Sequence, residues 1–119
     1  MGIPYLWGGN STKGNDCSGF TQTIFKANGI QLPRDARQQA LEGIEIIPNG
    51  DWSNILEGDL LFFGKEDRVT HVGISLGKKE FIHQGGKVAV NSLDEGSEYF
   101  SPDRLKSFLF IKRILRQSS

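Results

Sequence analysis

Residues 69–84 read Val-Thr-His-Val-Gly-Ile-Ser-Leu-Gly-Lys-Lys-Glu-Phe-Ile-His-Gln, and this stretch decides the fold. Its first half alternates. Val72, Ile74 and Leu76 point one way, and His71, Gly73 and Ser75 point the other, which is the period of a strand with one buried face. Gly77-Lys78-Lys79 then offers a tight connection, and Glu80 to Gln84 reads as the returning strand. A loop of odd length, or an equivalent bulge, sets His71 opposite Gly85 and His83 opposite Gly73, with both imidazoles on one face. A two-residue loop without a bulge pairs His71 with Gln84 and puts the rings on opposite faces, because a one-residue slip flips every side chain.

Working outward, Val88 to Ser92 continues the antiparallel pattern. On the other side, Asp59-Leu60-Leu61-Phe62-Phe63 is a short apolar run bounded by Gly58 and Gly64, as expected of a buried strand. Phe108 to Leu115 reads as the closing strand, preceded by a short helical turn that starts at Ser101-Pro102. Towards the amino end the period changes. Cys17 to Asn28 forms a helix with Asp16 as N-cap, Gly29 as C′ residue, and an apolar stripe of Phe20, Ile24 and Ala27 joined by Phe25. Leu32-Pro33 breaks the chain, a second helix spans about Arg34 to Glu42 and stops at Gly43, and Glu45 to Pro48 is extended. Gly2 to Asn15, rich in Gly, Asn, Ser and Thr, is a loop. Helices first and antiparallel strands afterwards define an α+β fold, with N-terminal helices packed on an antiparallel sheet of five to six strands.

The lone cysteine, Cys17, stands at the start of the first helix within Asp16-Cys17-Ser18-Gly19-Phe20. A helix start presents unpaired N–H groups and the positive end of the dipole, and both favour a thiolate, the attacking form of cysteine. A lone buried cysteine is ordinarily inert. Here the neighbours are polar or small, and the chain's two histidines, His71 and His83, fall on adjacent strands. The roles that follow are Cys17 as nucleophile, His71 as general base and then acid, and His83 as the residue that orients His71. The same three side chains with Asp16 or Asp59 would also supply zinc-type ligands, but the spacing fits no zinc pattern, and no metal is expected.

Composition bounds the alternatives. At 119 residues the chain is one domain, residues 1–119, long enough for its own hydrophobic core. Its 14 basic and 14 acidic residues leave no net field to draw nucleic acid or an anionic membrane. No apolar run is long enough for a membrane-spanning helix, and one cysteine excludes an intrachain disulfide. The basic stretch Lys112 to Arg116 reads as the exposed face of the last strand. A motif begins almost at once, at Tyr5, so an upstream region is expected in the native protein.

Five segments occur in order: Pro4-Tyr5-Leu6-Trp7-Gly8-Gly9, Asp16-Cys17-Ser18-Gly19-Phe20, Gly58-Asp59-Leu60-Leu61-Phe62-Phe63, His71-Val72-Gly73-Ile74 and Phe81-Ile82-His83. Together, and over essentially the whole chain, they resemble the NlpC family of bacterial cell-wall cysteine peptidases, which have a reduced papain-like fold. The resemblance implies a cofactor-free, monomeric endopeptidase that cuts peptidoglycan stem peptides or muropeptides between D-glutamate and the following diamino acid. It implies the triad Cys17, His71 and His83, and an oxyanion hole from Tyr5 and the Cys17 N–H. Such enzymes act in the envelope or outside the cell, or on recycled peptides.

Within that family the chain is most similar to the dipeptidyl-peptidase VI type, which requires an unblocked N-terminal L-alanine. Leu32-Pro33-Arg34-Asp35 carries this likeness. It implies that Asp35 and Asp16 hold the substrate amine while Trp7 and Ser18 shape the pocket. Ala36 stands where relatives often carry serine, so one polar contact is missing. Those relatives also close the amine end with an upstream barrel domain, and the resemblance implies such a domain as a partner upstream of residues 1–119 in the native chain. A wall amidase or acyltransferase on the same fold, or an inactive wall-binding module, are the alternatives.

Overall fold

The computed structural model describes residues 17–114. The expectations placed on Tyr5, Trp7 and Asp16 lie outside the described residues. The elements run α1 (Cys17–Ala27), α2 (Ala36–Gln39), β1 (Ile44–Ile46), β2 (Leu60–Lys65), β3 (Arg68–Gly77), β4 (Glu80–Gln84), β5 (Val88–Ser92), α3 (Pro102–Ser107) and β6 (Phe108–Arg113). The strands form one sheet in the order β1-β6-β2-β3-β4-β5, with every neighbouring pair antiparallel. The α+β expectation holds.

Helix α1 ends as its sequence implies. Gly29 takes φ +82°, its N–H reaches the Lys26 carbonyl at 3.0 Å, and the Ile30 N–H returns to the Phe25 carbonyl at 2.9 Å. These two bonds satisfy carbonyls that a helix end would otherwise leave open. Ile30 then packs into the same cluster as Phe25, which fixes the exit of the chain.

The second helix is shorter than the pattern suggests: one turn at Ala36–Gln39 instead of Arg34 to Glu42. Its tertiary contacts outweigh its length. Gln39 is fully buried, and its Nε2 donates to the Ser18 carbonyl at 3.1 Å and to the Pro33 carbonyl at 2.8 Å. These bonds tie the first turn of α1 to the Leu32-Pro33 bend. The chain beyond Ala40 is drawn off into β1, which pairs with β6.

The sheet separates two apolar layers. Phe20, Ile24 and Phe25 of α1 pack with Leu60, Phe62, Val72, Ile74 and Ile82. Leu61, Phe63, Phe81 and Ile111 meet Ile55 and Leu93 on the other face, with Trp52 and Phe108 against them. This partition corrects one expectation. In the sequence the face of β3 that carries His71, Gly73 and Ser75 is shallow and polar, which makes it a face that the helix carrying Cys17 can approach closely. The helix instead packs on the Val72–Ile74 face, where large apolar side chains offer more area to bury.

A second correction concerns the last strand, which ends at Arg113 and is not simply an exposed basic face. Arg113 forms a forked bond with Asp59: Nε to Oδ1 and Nη2 to Oδ2, both 2.8 Å. Nη2 also donates to the Asn54 carbonyl at 2.9 Å, and Asp59 Oδ2 accepts the Leu56 N–H at 2.9 Å. Asp59 is 2% exposed. This planar fork therefore joins β6 to the start of β2 and the preceding loop. Arg113→Met would strand a buried carboxylate, and we expect a loss of about 3 kcal/mol, the lower end for breaking a buried pair. Urea denaturation measures it. A loss below about 1 kcal/mol would class the pair with ordinary surface bridges.

Candidate active site

The two histidines converge. His71 Nε2 and His83 Nδ1 are 2.7 Å apart, and the rings meet nearly edge to face, with centroids 4.9 Å apart. The register that brings them together runs Ile74↔Ile82 and Ser75↔Phe81, then Gly77↔Glu80. Leu76 is the extra residue in β3, and Lys78-Lys79 is a two-residue turn. Gly77 at φ +111° and Lys78 at φ +53° supply the left-handed backbone that the turn needs. This is the bulged alternative of the two hairpins weighed above, and both imidazoles lie on one face. Glycine at 73 makes room: a Cβ there would lie 2.9 Å from the Phe81 ring and 3.3 Å from the His83 Cβ.

The sheet bends beside His71. Phe63 pairs with His71, but Gly64 pairs with Val69, so Thr70 is unpaired on β3. Against β6, Phe62 pairs with Phe110 and Phe63 with Phe108, leaving Leu109 unpaired. Two bulges at one level twist the strands sharply, as they often do next to functional sites. Gly64 is required there, since a Cβ would fall within 1.8 Å of the Arg68 carbonyl oxygen.

The histidine pair sits in a shell of rings and one cation. His71 stacks at a tilt on Phe63, and His83 on Phe81, with centroids 5.7 and 4.9 Å apart. The Arg104 guanidinium lies over Phe63, 5.7 Å from the ring centroid. It would also lie 3.4 Å from a Cβ at Gly85, which itself would stand 3.8 Å from His71 Cε1. Burial pushes the His71 pKa down to about 3, and the charge of Arg104 and the neighbouring His83 add to the fall. Burial lowers that of His83 too, with Arg104 adding to it and the bond to Asn91 opposing it. Both imidazoles are therefore neutral at neutral pH.

Cys17 approaches the same end of β3, beside Val69 and Thr70. It opens α1, is 9% exposed, and lines a cavity of about 380 Å³. Ser18, Arg34, Asp35, Ala36, Arg37, Val69 and Thr70 complete the described lining, which ends one residue before His71. Ser18 Oγ accepts from Arg34 Nη1 at 3.1 Å. Asp35 occupies the N-cap position of α2, yet its side chain makes no capping bond. Ser18 and Asp35, singled out from the sequence, thus share a cavity with Cys17, whereas His83 belongs to the histidine cluster.

Sequence reasoning missed several participants. Asn91 accepts at Oδ1 opposite His83 Nε2, 2.7 Å away. Arg104 is the cation over Phe63, next to the pair, and Arg34 and Arg37 bring positive charge to the cavity. Only the alternation along β5, which sets Asn91 on the face of Phe81, hinted at the first. Asp59, a conceivable metal ligand, is engaged by Arg113 instead. Among the described residues no group of three His, Cys, Asp or Glu side chains is disposed to hold a metal ion.

Comparison with known proteins defines the family. Residues 2–105 match the NlpC/P60 family, and the chain belongs to it. It is 44% identical over 101 residues to a gamma-D-glutamyl-L-lysine dipeptidyl-peptidase of Bacillus subtilis, covering 80% of this chain and 33% of that protein. It is 36% identical over 120 residues to the murein DD-endopeptidase MepS/murein LD-carboxypeptidase of Escherichia coli, covering 98% of this chain and 58% of that one. The crystal structure of an NlpC/P60 family protein from Bacillus cereus superposes with a TM-score of 0.70 at 32% identity, over 98% of this chain and 37% of the other. The chain thus spans about a third of the length of the dipeptidyl-peptidase that it matches.

The electrostatics give a test that needs no substrate. Arg104 disfavours the imidazolium form of both rings, so its removal must raise their pKa values. In Arg104→Gln, NMR titration of His71 and His83 should show both midpoints moved to higher pH. Unchanged midpoints would show that burial alone keeps the rings neutral.

Proposed function

We propose that this chain is a cysteine peptidase that hydrolyses the bond between the γ-carboxyl of D-glutamate and the following diamino acid in peptidoglycan stem peptides. The observation that carries the reading is the 2.7 Å His71–His83 pair, one residue along the strand from the cavity that Cys17 lines. His71 uses Nε2 towards His83, which leaves Nδ1 as its only nitrogen for other work. In the proposed reaction Nδ1 takes the thiol proton, and the Cys17 sulfur attacks the γ-carbonyl carbon. His71 then returns the proton to the departing amine, leaving a thioester. Water, deprotonated by His71, attacks the thioester carbonyl and releases the γ-carboxylate and the thiol. His83 holds His71 in place. Tyr5 and the Cys17 N–H are proposed to receive the oxyanion.

The cavity's charges suit such a substrate. A γ-linked D-glutamate keeps its α-carboxylate beside the bond to be cut, and Arg34 and Arg37 bring positive charge there. An N-terminal L-alanine presents an ammonium two residues away. Asp35, whose carboxylate does not cap its own helix, is proposed to hold that ammonium together with Asp16, while Trp7 and Ser18 shape the pocket. A blocked amino end would leave these carboxylates without their partner, which favours substrates with the amine exposed. The name of the Bacillus subtilis relative supports this choice of bond. The name of the Escherichia coli relative supports a second reading, cleavage of another wall-peptide bond by the same Cys and His pair.

Mass spectrometry of the products from defined stem peptides separates the two. We expect release of L-alanyl-D-glutamate from peptides with an unblocked amine, and much slower release after N-acetylation. Products that retain the D-glutamyl–diamino acid bond would refute the proposed specificity. Cys17→Ala should abolish turnover with the fold intact. His71→Ala should lower kcat by about 10³-fold, within the usual range for a positioned acid–base group, and His83→Ala should cost less. Activity retained in His71→Ala would remove His71 from the role of base.

A further inference from the structure

We propose that Asn91 is a positioning residue that sets the tautomer of both imidazoles, a role that rests on His71 being the base. The inference begins at a backbone oxygen. The Tyr99 carbonyl can only accept, and Asn91 Nδ2 donates to it at 3.2 Å. That bond orients the Asn91 amide, so its Oδ1 is the atom that faces His83 Nε2 at 2.7 Å. An amide oxygen is also an acceptor. His83 must therefore carry its proton on Nε2, and a neutral imidazole protonated there has its lone pair on Nδ1.

The same logic passes one ring further. His83 Nδ1 lies 2.7 Å from His71 Nε2 and, as a lone pair, requires a donor. His71 must then be protonated on Nε2, which leaves the lone pair on Nδ1. The direction of the chain is fixed at its far end: Tyr99 carbonyl, Asn91 amide, His83, His71. Reversing it would put a proton on His71 Nδ1 and leave no base for the thiol. Asn91 touches neither substrate nor the reacting atoms in this scheme; it acts only through the rings.

Reversing the polarity at position 91 tests this directly. Asn91→Asp keeps an acceptor opposite His83 Nε2. Asn91→Lys substitutes a group that can only donate, and Asn91→Leu removes both functions. Long-range proton–nitrogen NMR spectra of the intact chain report which ring nitrogen is protonated, without any turnover. Wild type and Asn91→Asp should show His71 and His83 protonated on Nε2, and the aspartate variant should keep kcat near wild type. Its added negative charge should move the acid limb of the kcat profile to higher pH. Asn91→Lys should shift His71 to the Nδ1–H form and lower kcat by about 10²-fold with KM unchanged, the low end for loss of acid–base function.

Asn91→Leu should show a mixture of tautomers and an intermediate kcat. It serves in place of the lysine variant if that protein does not fold. Wild-type tautomers and wild-type kcat in Asn91→Lys or Asn91→Leu would overturn the proposal. If the tautomers follow residue 91 but His71→Ala still turns over, Asn91 is a tautomer lock and the assignment of His71 as base is what fails.

Discussion

One surplus residue in β3 governs the chemistry of the sheet. Leu76 has no partner on β4, and that bulge sets the parity of everything upstream of it in the hairpin. With it, His71 and His83 share a face and come within hydrogen-bonding distance. Without it, the same sequence would send one imidazole into the apolar layer under α1 and leave the other behind. The glycines follow from this constraint. Gly73 stands where the backbone passes close to Phe81 and His83, and Gly77 provides the turn that the shortened loop needs.

The division of the molecule into two layers follows from the same parity. Large apolar side chains of β2, β3 and β4 that face α1 supply most of the helix-side core. The opposite face is aromatic, with Phe63 and Phe81 forming the floor on which the imidazoles lie. An apolar floor desolvates the rings, and Arg104 adds a positive charge above it. Both effects oppose protonation, so the pair rests neutral. In the proposed reaction this suits a general base that must be unprotonated before the thiol arrives. It also means that thiolate formation draws little help from a pre-formed imidazolium. The start of α1 would supply the stabilising field instead.

How much of this was legible in the sequence depends on the range of each interaction. The strands, the helix α1 and its glycine stop are local patterns, and they were readable. The hairpin was readable as a choice between two registers, because the period of a strand is two and both histidines lie within one hairpin. Arg104 was not, since it comes to the histidines from a separate element through Phe63 and leaves no periodic trace; for Asn91 the alternation along β5 gave the face but not the partner. Lys112 to Arg116 looked like a solvated face because charge runs usually are. Nothing near Arg113 reveals that Asp59, distant in sequence, is buried beside it. The side on which α1 docks was misjudged for a physical reason: shallowness was weighed above the larger apolar area on the Val72–Ile74 face.

The segment that closes the far edge of the sheet links these late-found residues. Ser92 bridges to Phe100, the Ser92 N–H reaches the Tyr99 carbonyl at 2.8 Å, and the Ser101 N–H returns to the Ser92 carbonyl at 3.0 Å. Covering the edge strand in this way removes an open row of backbone groups. The same few residues deliver the Tyr99 carbonyl to Asn91 and, after the Ser101 cap, launch α3, which carries Arg104. One short stretch thus brings two influences to the imidazole pair, a hydrogen-bond direction through Asn91 and a positive charge through Arg104. They act on different properties: the first selects which nitrogen holds the proton, and the second disfavours a second proton. Because both depend on how segment 99–104 docks against β5, protonation of the histidines is coupled to the integrity of an edge that lies outside the Cys17 cavity.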